Sequence, residues 1–340
     1  MRTEMTETAW TPDSLTSWRT FMAHEVLRPQ VLSLRERDAL NPLEREQYDD
    51  ERIAFVNAPI VLPTPDLNRL IREARIVTAL NRGPQFTARQ SLAISGSQTL
   101  GKSTAAMYLG RTHEQRERAK HAREDDADFL PVLYVSTPPQ TSPKGLMSRF
   151  AATLGMPVPP RETTDRIMER VVETLRDLGT SMVILDEVQH LRTRAQAGME
   201  AASALKSFSE RVPATFLYVG VDLPNSDFLG GAMGAQMQGR ATMIQMQPHS
   251  IGSAAHRAEW DKVVALFERE FPLAQHSHGR GSMASRGHGR RHRLAAHPPA
   301  QGAGRGHHRR ARAPGPKGAG GDPARLPRRP RPRKQGARQG

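Results

Sequence analysis

Gly96 and Gly101 bracket Ser97, Gln98, Thr99 and Leu100, and Lys102, Ser103 and Thr104 follow directly, a G-x-x-x-x-G-K-S string. These residue types at this spacing suit one kind of ligand, a chain of phosphates. Glycine lets backbone amides turn inward around phosphate oxygens, where a Cβ would collide or force the wrong dihedral. Lys102 supplies a cation to the terminal phosphates and Ser103 a hydroxyl to a magnesium ion, while a following helix adds its positive end. Some eighty residues on, the acids Asp186 and Glu187 close an apolar run from Met182 to Leu185. Asp186 is suited to hold the metal, directly or through a water. Glu187 is suited to polarise the water that attacks the γ-phosphate. Together the two strings imply nucleotide hydrolysis with ATP and Mg²⁺.

Both strings need strands to carry them. Ser91–Ser95 is an apolar strand leading into the glycine string, and Ala105, Ala106, Met107 and Leu109 begin a helical pattern after it. The run ending in Asp186 predicts a buried parallel strand that delivers its acids at the carboxyl edge, where ligands sit in open α/β sheets. From Phe86 onward, strand and helix patterns alternate. Strands are predicted at 91–95, 129–136, 181–186, 214–220 and 242–247, and helices at 102–123, 143–155, 163–178 and 196–211. That alternation implies a parallel sheet covered by helices on both faces. Upstream, helices are predicted over Ser14–Val31, Glu44–Val56 and Asp66–Asn81, and a last one over Ala254–Phe271. The helix after the glycine string ends in interspersed charges, among them Arg111, Glu114, Arg116, Glu117 and Arg118, a pattern expected of a solvated face, with DNA contact as the alternative. His190 is expected to be a loop histidine satisfied locally.

Charge is unevenly distributed. The chain of 340 residues carries a formal +14. Residues 276–340 hold fifteen Arg, two Lys and one Asp, which leaves residues 1–275 with 32 basic and 34 acidic side chains. The body is nearly neutral. The terminal 65 residues contain Met283, Leu294 and Leu326 as their only sizeable apolar side chains. Such a segment buries too little surface to offset about 1–2 kcal/mol of backbone entropy per residue, so disorder is expected. A native basic tail would bind nucleic acid through counterion release. An Ala-Arg-Gly-Pro-His vocabulary starting abruptly after a well-patterned helix is equally what GC-rich coding DNA yields out of frame. Translating the other two frames beyond codon 275 separates the two. With no cysteine, disulfides and thiolate metal sites are excluded and a cytoplasmic setting is expected. No apolar run suggests a membrane span or a signal peptide.

The body resembles the AAA+ ATPases of DNA transposition, in particular the TniB-like group, related to the IstB-like and MuB-like ATPases. The resemblance covers about residues 48–272. It rests on the glycine string, on Val183 to Leu191, on Tyr134 to Leu146 with its Pro/Thr-rich turn and Lys144-Gly145, on Leu205-Lys206 ahead of Phe216–Gly220, and on Gly239-Arg240. It implies a P-loop NTPase core at 46–252 after a helical segment at 1–45. It also implies the start of a helical lid at 253–275, cut short by the tail at 276–340. It implies a protein that binds ATP, assembles with its own copies on double-stranded DNA through largely sequence-independent phosphate contacts, and presents target DNA to a transposase. Arg240 falls where such ATPases carry the arginine that reaches the γ-phosphate held by the next subunit. The chain departs from the family at Gln98 and Leu100, where smaller residues are usual. The sensor expected after strand 214–220 has only Asp222 as a candidate. Two other functions stay open: a regulatory nucleotide switch with no DNA role, and a small-molecule kinase, which would not need Glu187.

Overall fold

The computed structural model describes residues 12–58, 60–83, 89–139, 141–191, 196–226, 228, 238–248 and 252–271. The basic segment 276–340 lies outside the described residues. Five parallel strands, β1 (Ser91–Ser95), β2 (Val132–Ser136), β3 (Met182–Asp186), β4 (Thr215–Gly220) and β5 (Ala241–Gln245), form one sheet in the order β2-β3-β4-β1-β5. β4 therefore separates β1 from β3, the strands that carry the glycine string and the acids. All five residues of β3 and all six of β4 are buried, as continuous apolar strands covered on both sides must be. The fold is the parallel α/β sheet covered on both faces that the alternation predicts, in the P-loop NTPase form that the resemblance implies.

Helices cover the two faces. α5 (Lys102–His121) lies over the face that carries Ile184 and Val132, and α4 (Pro65–Leu80) packs beside it. Phe208 of α8 (Gln196–Arg211) meets Phe216 on the other face, ring centroids 5.9 Å apart, and Phe150 of α6 (Pro143–Thr153) meets Phe208 at 4.6 Å. α7 (Thr164–Asp177) completes that layer and buries Ile167, Val171, Val172 and Leu175, a regular i, i+4 stripe.

Two expectations are corrected. The helix expected over Ser14–Val31 stops at Ala23, where His24 turns extended, and Pro29 bars a helix from running on to Val31 because it disfavours helix at Arg28. The chain instead forms α1 (Leu15–Ala23), an extended stretch, and α2 (Leu34–Ala39), restarted by a reciprocal Ser33–Glu36 cap. α3 (Pro42–Asn57) likewise starts before Glu44, since Asn41 caps it and Pro42 fits its first turn. The second correction concerns the charged end of α5. Glu114 and Glu117 are 1% and 3% exposed. Glu114 accepts from the Trp18 indole (2.7 Å) and Arg118 Nε (2.9 Å), and Arg118 also donates to the carbonyls of Asp126 (2.9 Å) and Phe129 (2.6 Å). These charges form an internal network that ties the α5–β2 connection, with its donors and acceptors matched as burial demands.

The last helix, α9 (Ala254–Glu270), buries Val263, and Phe271 after it packs edge-on against Phe55 of α3. Among the described residues no helix is long and apolar enough to cross a membrane.

Candidate functional site

Gly96 follows β1 directly, and a Cβ there would stand 2.6 Å from the Met246 carbonyl oxygen, so glycine is required by close approach of backbone. Gly101 has free space around it but φ of +79°, so there the requirement is dihedral. The third unusual position is Thr99, a β-branched residue at φ +67°, which costs about 1–2 kcal/mol. The departures noted at Gln98 and Leu100 thus flank the strained residue without being it.

α5 starts from this loop without a side-chain cap. α1, α2, α3, α4, α6, α7 and α9 each begin with a Ser, Thr or Asn side chain that accepts from a first-turn amide. At α5 the cap residue is Gly101, and the first-turn amides, those of Lys102, Ser103 and Thr104 among them, face the loop with the positive end of a 20-residue helix behind them. An anion is the natural acceptor. The Lys102 amine folds back over the loop and donates to the Ser97 carbonyl at 2.8 Å, with two further N–H groups left to offer. Burial pulls its pKa below the usual lysine range, and the nearby carboxylates of Glu187 and Asp186 oppose that shift. Lys102 and the acid pair are thus electrostatic neighbours, although β4 lies between their strands.

Asp186 ends β3 and is 3% exposed. Its Oδ1 accepts from the Glu187 amide (2.8 Å) and its Oδ2 from the Tyr134 hydroxyl (2.5 Å). Ser103 lies close to the same hydroxyl, so the two proposed metal ligands face one region. Burial and the Asp186 charge push the Tyr134 hydroxyl well above its ordinary pKa, which keeps it a donor. One hydroxyl and one carboxylate fit magnesium, a hard cation that keeps several waters and takes few protein oxygens. Among the described residues no cluster of three or more His, Cys, Asp or Glu offers a competing cation site.

Glu187 stands at φ +58°, a left-handed turn that swings it off the strand line immediately after Asp186. The Gln189 side-chain amide donates to Glu187 Oε2, and its oxygen accepts from the Val221 amide at the tip of β4 (3.1 Å). Gln189 and Tyr134 are the site residues that sequence reasoning did not single out. Both belong to strings quoted for the resemblance, and only the fold shows what they touch. His190 Nδ1 is 2.8 Å from the Thr137 carbonyl, so it has a protein partner, but one that follows β2 and not one in its own loop as expected. Asp222 is exposed at φ +47° and accepts from the Asn225 amide (2.9 Å), facing its own turn.

Arg240 does not join this group within one chain. It immediately precedes β5, whose first residue Ala241 pairs with Ser91, and its carbonyl accepts from the Ser91 amide (2.9 Å). The glycine loop leaves the other end of β1, about 17 Å away by strand rise. Arg240 lies instead in a shallow cleft with Arg89, Lys206 and Glu210, its guanidinium 3.8 Å from the Glu210 carboxylate.

Solved structures similar to this chain include the ORC1 protein of Aeropyrum pernix in complex with DNA, at 18% identity over 63% of this chain and 51% of that one, TM-score 0.43. Cdc6p of Pyrobaculum aerophilum matches at 17% identity over 62% and 52%, TM-score 0.39. AMPPCP-bound DnaA from Aquifex aeolicus matches at 13% identity over 65% and 56%, TM-score 0.39. The chain spans about half the length of these proteins. No curated protein matches it. Residues 52–244, which include the glycine loop, the acid pair and Arg240, match the family described as bacterial TniB protein, and the chain belongs to that family.

Proposed function

We propose that this protein binds and hydrolyses ATP to regulate DNA transposition, assembling with copies of itself on duplex DNA and engaging a transposase. The observation that carries the nucleotide part is the uncapped start of α5, with Lys102 beside Asp186 and Glu187 at the same sheet edge. In this reading the amides from Gly96 to Thr104 cradle the phosphates, and Lys102 neutralises charge on the outer two. Ser103 and Asp186 hold Mg²⁺, which when bound screens the phosphates and polarises the bond to be broken. Glu187, held by Gln189, orients the attacking water.

Arg240 has its role in assembly. At the opposite sheet edge from the loop it serves a neighbour's γ-phosphate, so that completing the site requires a second copy. Assembly is thereby coupled to nucleotide state. The transposition part rests on family membership.

The test uses the full chain and Lys102→Ala, measuring ATP hydrolysis and duplex-DNA binding with and without ATP across rising salt. The basic tail can bind DNA without nucleotide, so the diagnostic result is ATP-stimulated binding that Lys102→Ala abolishes. Hydrolysis without any ATP effect on DNA favours the nucleotide switch over the transposition regulator. Failure to bind ATP removes both.

A further inference from the structure

Tyr134 on β2 is 2% exposed, and its hydroxyl donates to Asp186 Oδ2 (2.5 Å), with Ser103 close by. Its ring stacks on Trp18 of α1, centroids 6.1 Å apart and planes 12° from parallel. Trp18 is the one buried residue of α1, also 2% exposed. It is fixed at both ends of its ring system. Its Nε1 donates to Glu114 (2.7 Å), and its Cη2 fills the hollow beside Gly110, where a Cβ would come within 2.8 Å of it. A continuous path of buried contacts therefore runs from Glu114 through Trp18 and Tyr134 to the carboxylate at the end of β3.

Packing alone does not call for this arrangement. A phenylalanine at 134 would fill the same space, whereas a buried hydroxyl needs a partner, and here the partner is the carboxylate suited to hold the metal. The Glu187 amide on Oδ1 and the Tyr134 hydroxyl on Oδ2 together fix the carboxylate plane about χ2. Without Tyr134 one constraint is gone and Asp186 can rotate.

We propose that Tyr134 is a positioning residue for Asp186, and that Trp18 holds Tyr134 in place, so that the seat of α1 sets the magnesium affinity of the nucleotide site. This rests on the Mg-nucleotide reading above. Outer-shell partners of metal ligands are typically worth ~10–100-fold in metal affinity. The lower end is expected here, because one other donor to Asp186 remains.

The experiment takes the full chain with Trp10→Phe and Trp260→Phe, which leaves Trp18 as the sole indole. Fluorescently labelled ADP is bound first in EDTA and then under a MgCl₂ titration, while Trp18 emission is followed. Tyr134→Phe is expected to raise the half-saturating Mg²⁺ concentration ~10-fold. Labelled-ADP affinity in EDTA should stay unchanged, and the Trp18 response to Mg²⁺ should be lost. Trp18→Phe keeps a ring against Tyr134 but loses the indole donor, and is expected to shift the Mg²⁺ requirement by a smaller factor in the same direction. It serves as the second variant should Tyr134→Phe not fold. An unchanged Mg²⁺ requirement in either folded variant overturns the proposal. Labelled ADP that binds the unsubstituted protein with no Mg²⁺ effect overturns it while leaving the phosphate loop standing, and no ADP binding at all overturns both.

Discussion

Acidification is expected to destabilise this protein through one buried histidine. His113 on α5 is 3% exposed. Its Nδ1 lies 3.2 Å from the Arg116 guanidinium, which can only donate, so Nδ1 accepts. Nε2 then carries the proton and donates to Ser181 Oγ at 2.8 Å. The ring is neutral. Burial pushes its pKa from 6.5 to about 4, Arg116 and Arg82 push the same way, and Glu117 opposes them. The folded value lies below the unfolded one, so between about pH 6.5 and 4 the unfolded chain binds more protons. The stabilisation is complete above 6.5 and is lost as pH falls. In full it amounts to about 3 kcal/mol, of which about 2 kcal/mol disappears between pH 7.5 and 5. Glu114 acts with the opposite sign, since burial raises its carboxyl pKa and favours the fold on acidification. The comparison must therefore be made against a variant. His113→Gln keeps a donor and an acceptor but does not titrate. Urea unfolding at the two pH values is expected to show about 2 kcal/mol more loss in the unsubstituted protein than in His113→Gln. Equal losses would refute the reasoning.

Glu187→Gln is expected to keep ATP affinity while slowing hydrolysis roughly 10²–10⁴-fold, measured as phosphate release beside equilibrium binding. Arg240→Ala should leave ATP binding by the dilute protein unchanged and lower turnover by ~10³-fold at concentrations that support assembly; a loss already present in ATP binding would argue against action on a neighbour. Thr99→Gly should raise unfolding free energy by up to about 1 kcal/mol by relieving the left-handed turn, read from urea midpoints at constant slope.

The sheet and its two chemical strings were legible because each strand is a short apolar run and each motif sits at a strand's carboxyl end. β1 and α8 have the predicted bounds, and the remaining strands differ by at most three residues at an end. Periodicity overran at α1, since Val26 and Leu27 continue the pattern that Leu15, Trp18 and Met22 begin, and Pro29 speaks only against the last residues of the expected span, not for a stop at Ala23. The acids of α5 misled for a different reason. Glu114 and Glu117 alternate with arginines as an exposed helix does, and nothing local reveals that the Trp18 indole will bury one of them. Tyr134 and Gln189 were hidden similarly. Their roles are contacts between strands distant in sequence, so their chemistry appears only when β2, β3 and β4 lie side by side.

That order has a mechanical consequence. A ligand gripped by the loop after β1 and by the acids after β3 must straddle β4, which touches both. Occupancy would then act as a cross-tie over the sheet's central strand, resisting its splaying as a strap holds staves. Amide hydrogen exchange within β4 should slow when nucleotide binds, although the ligand's holdfasts lie on the two strands beside it.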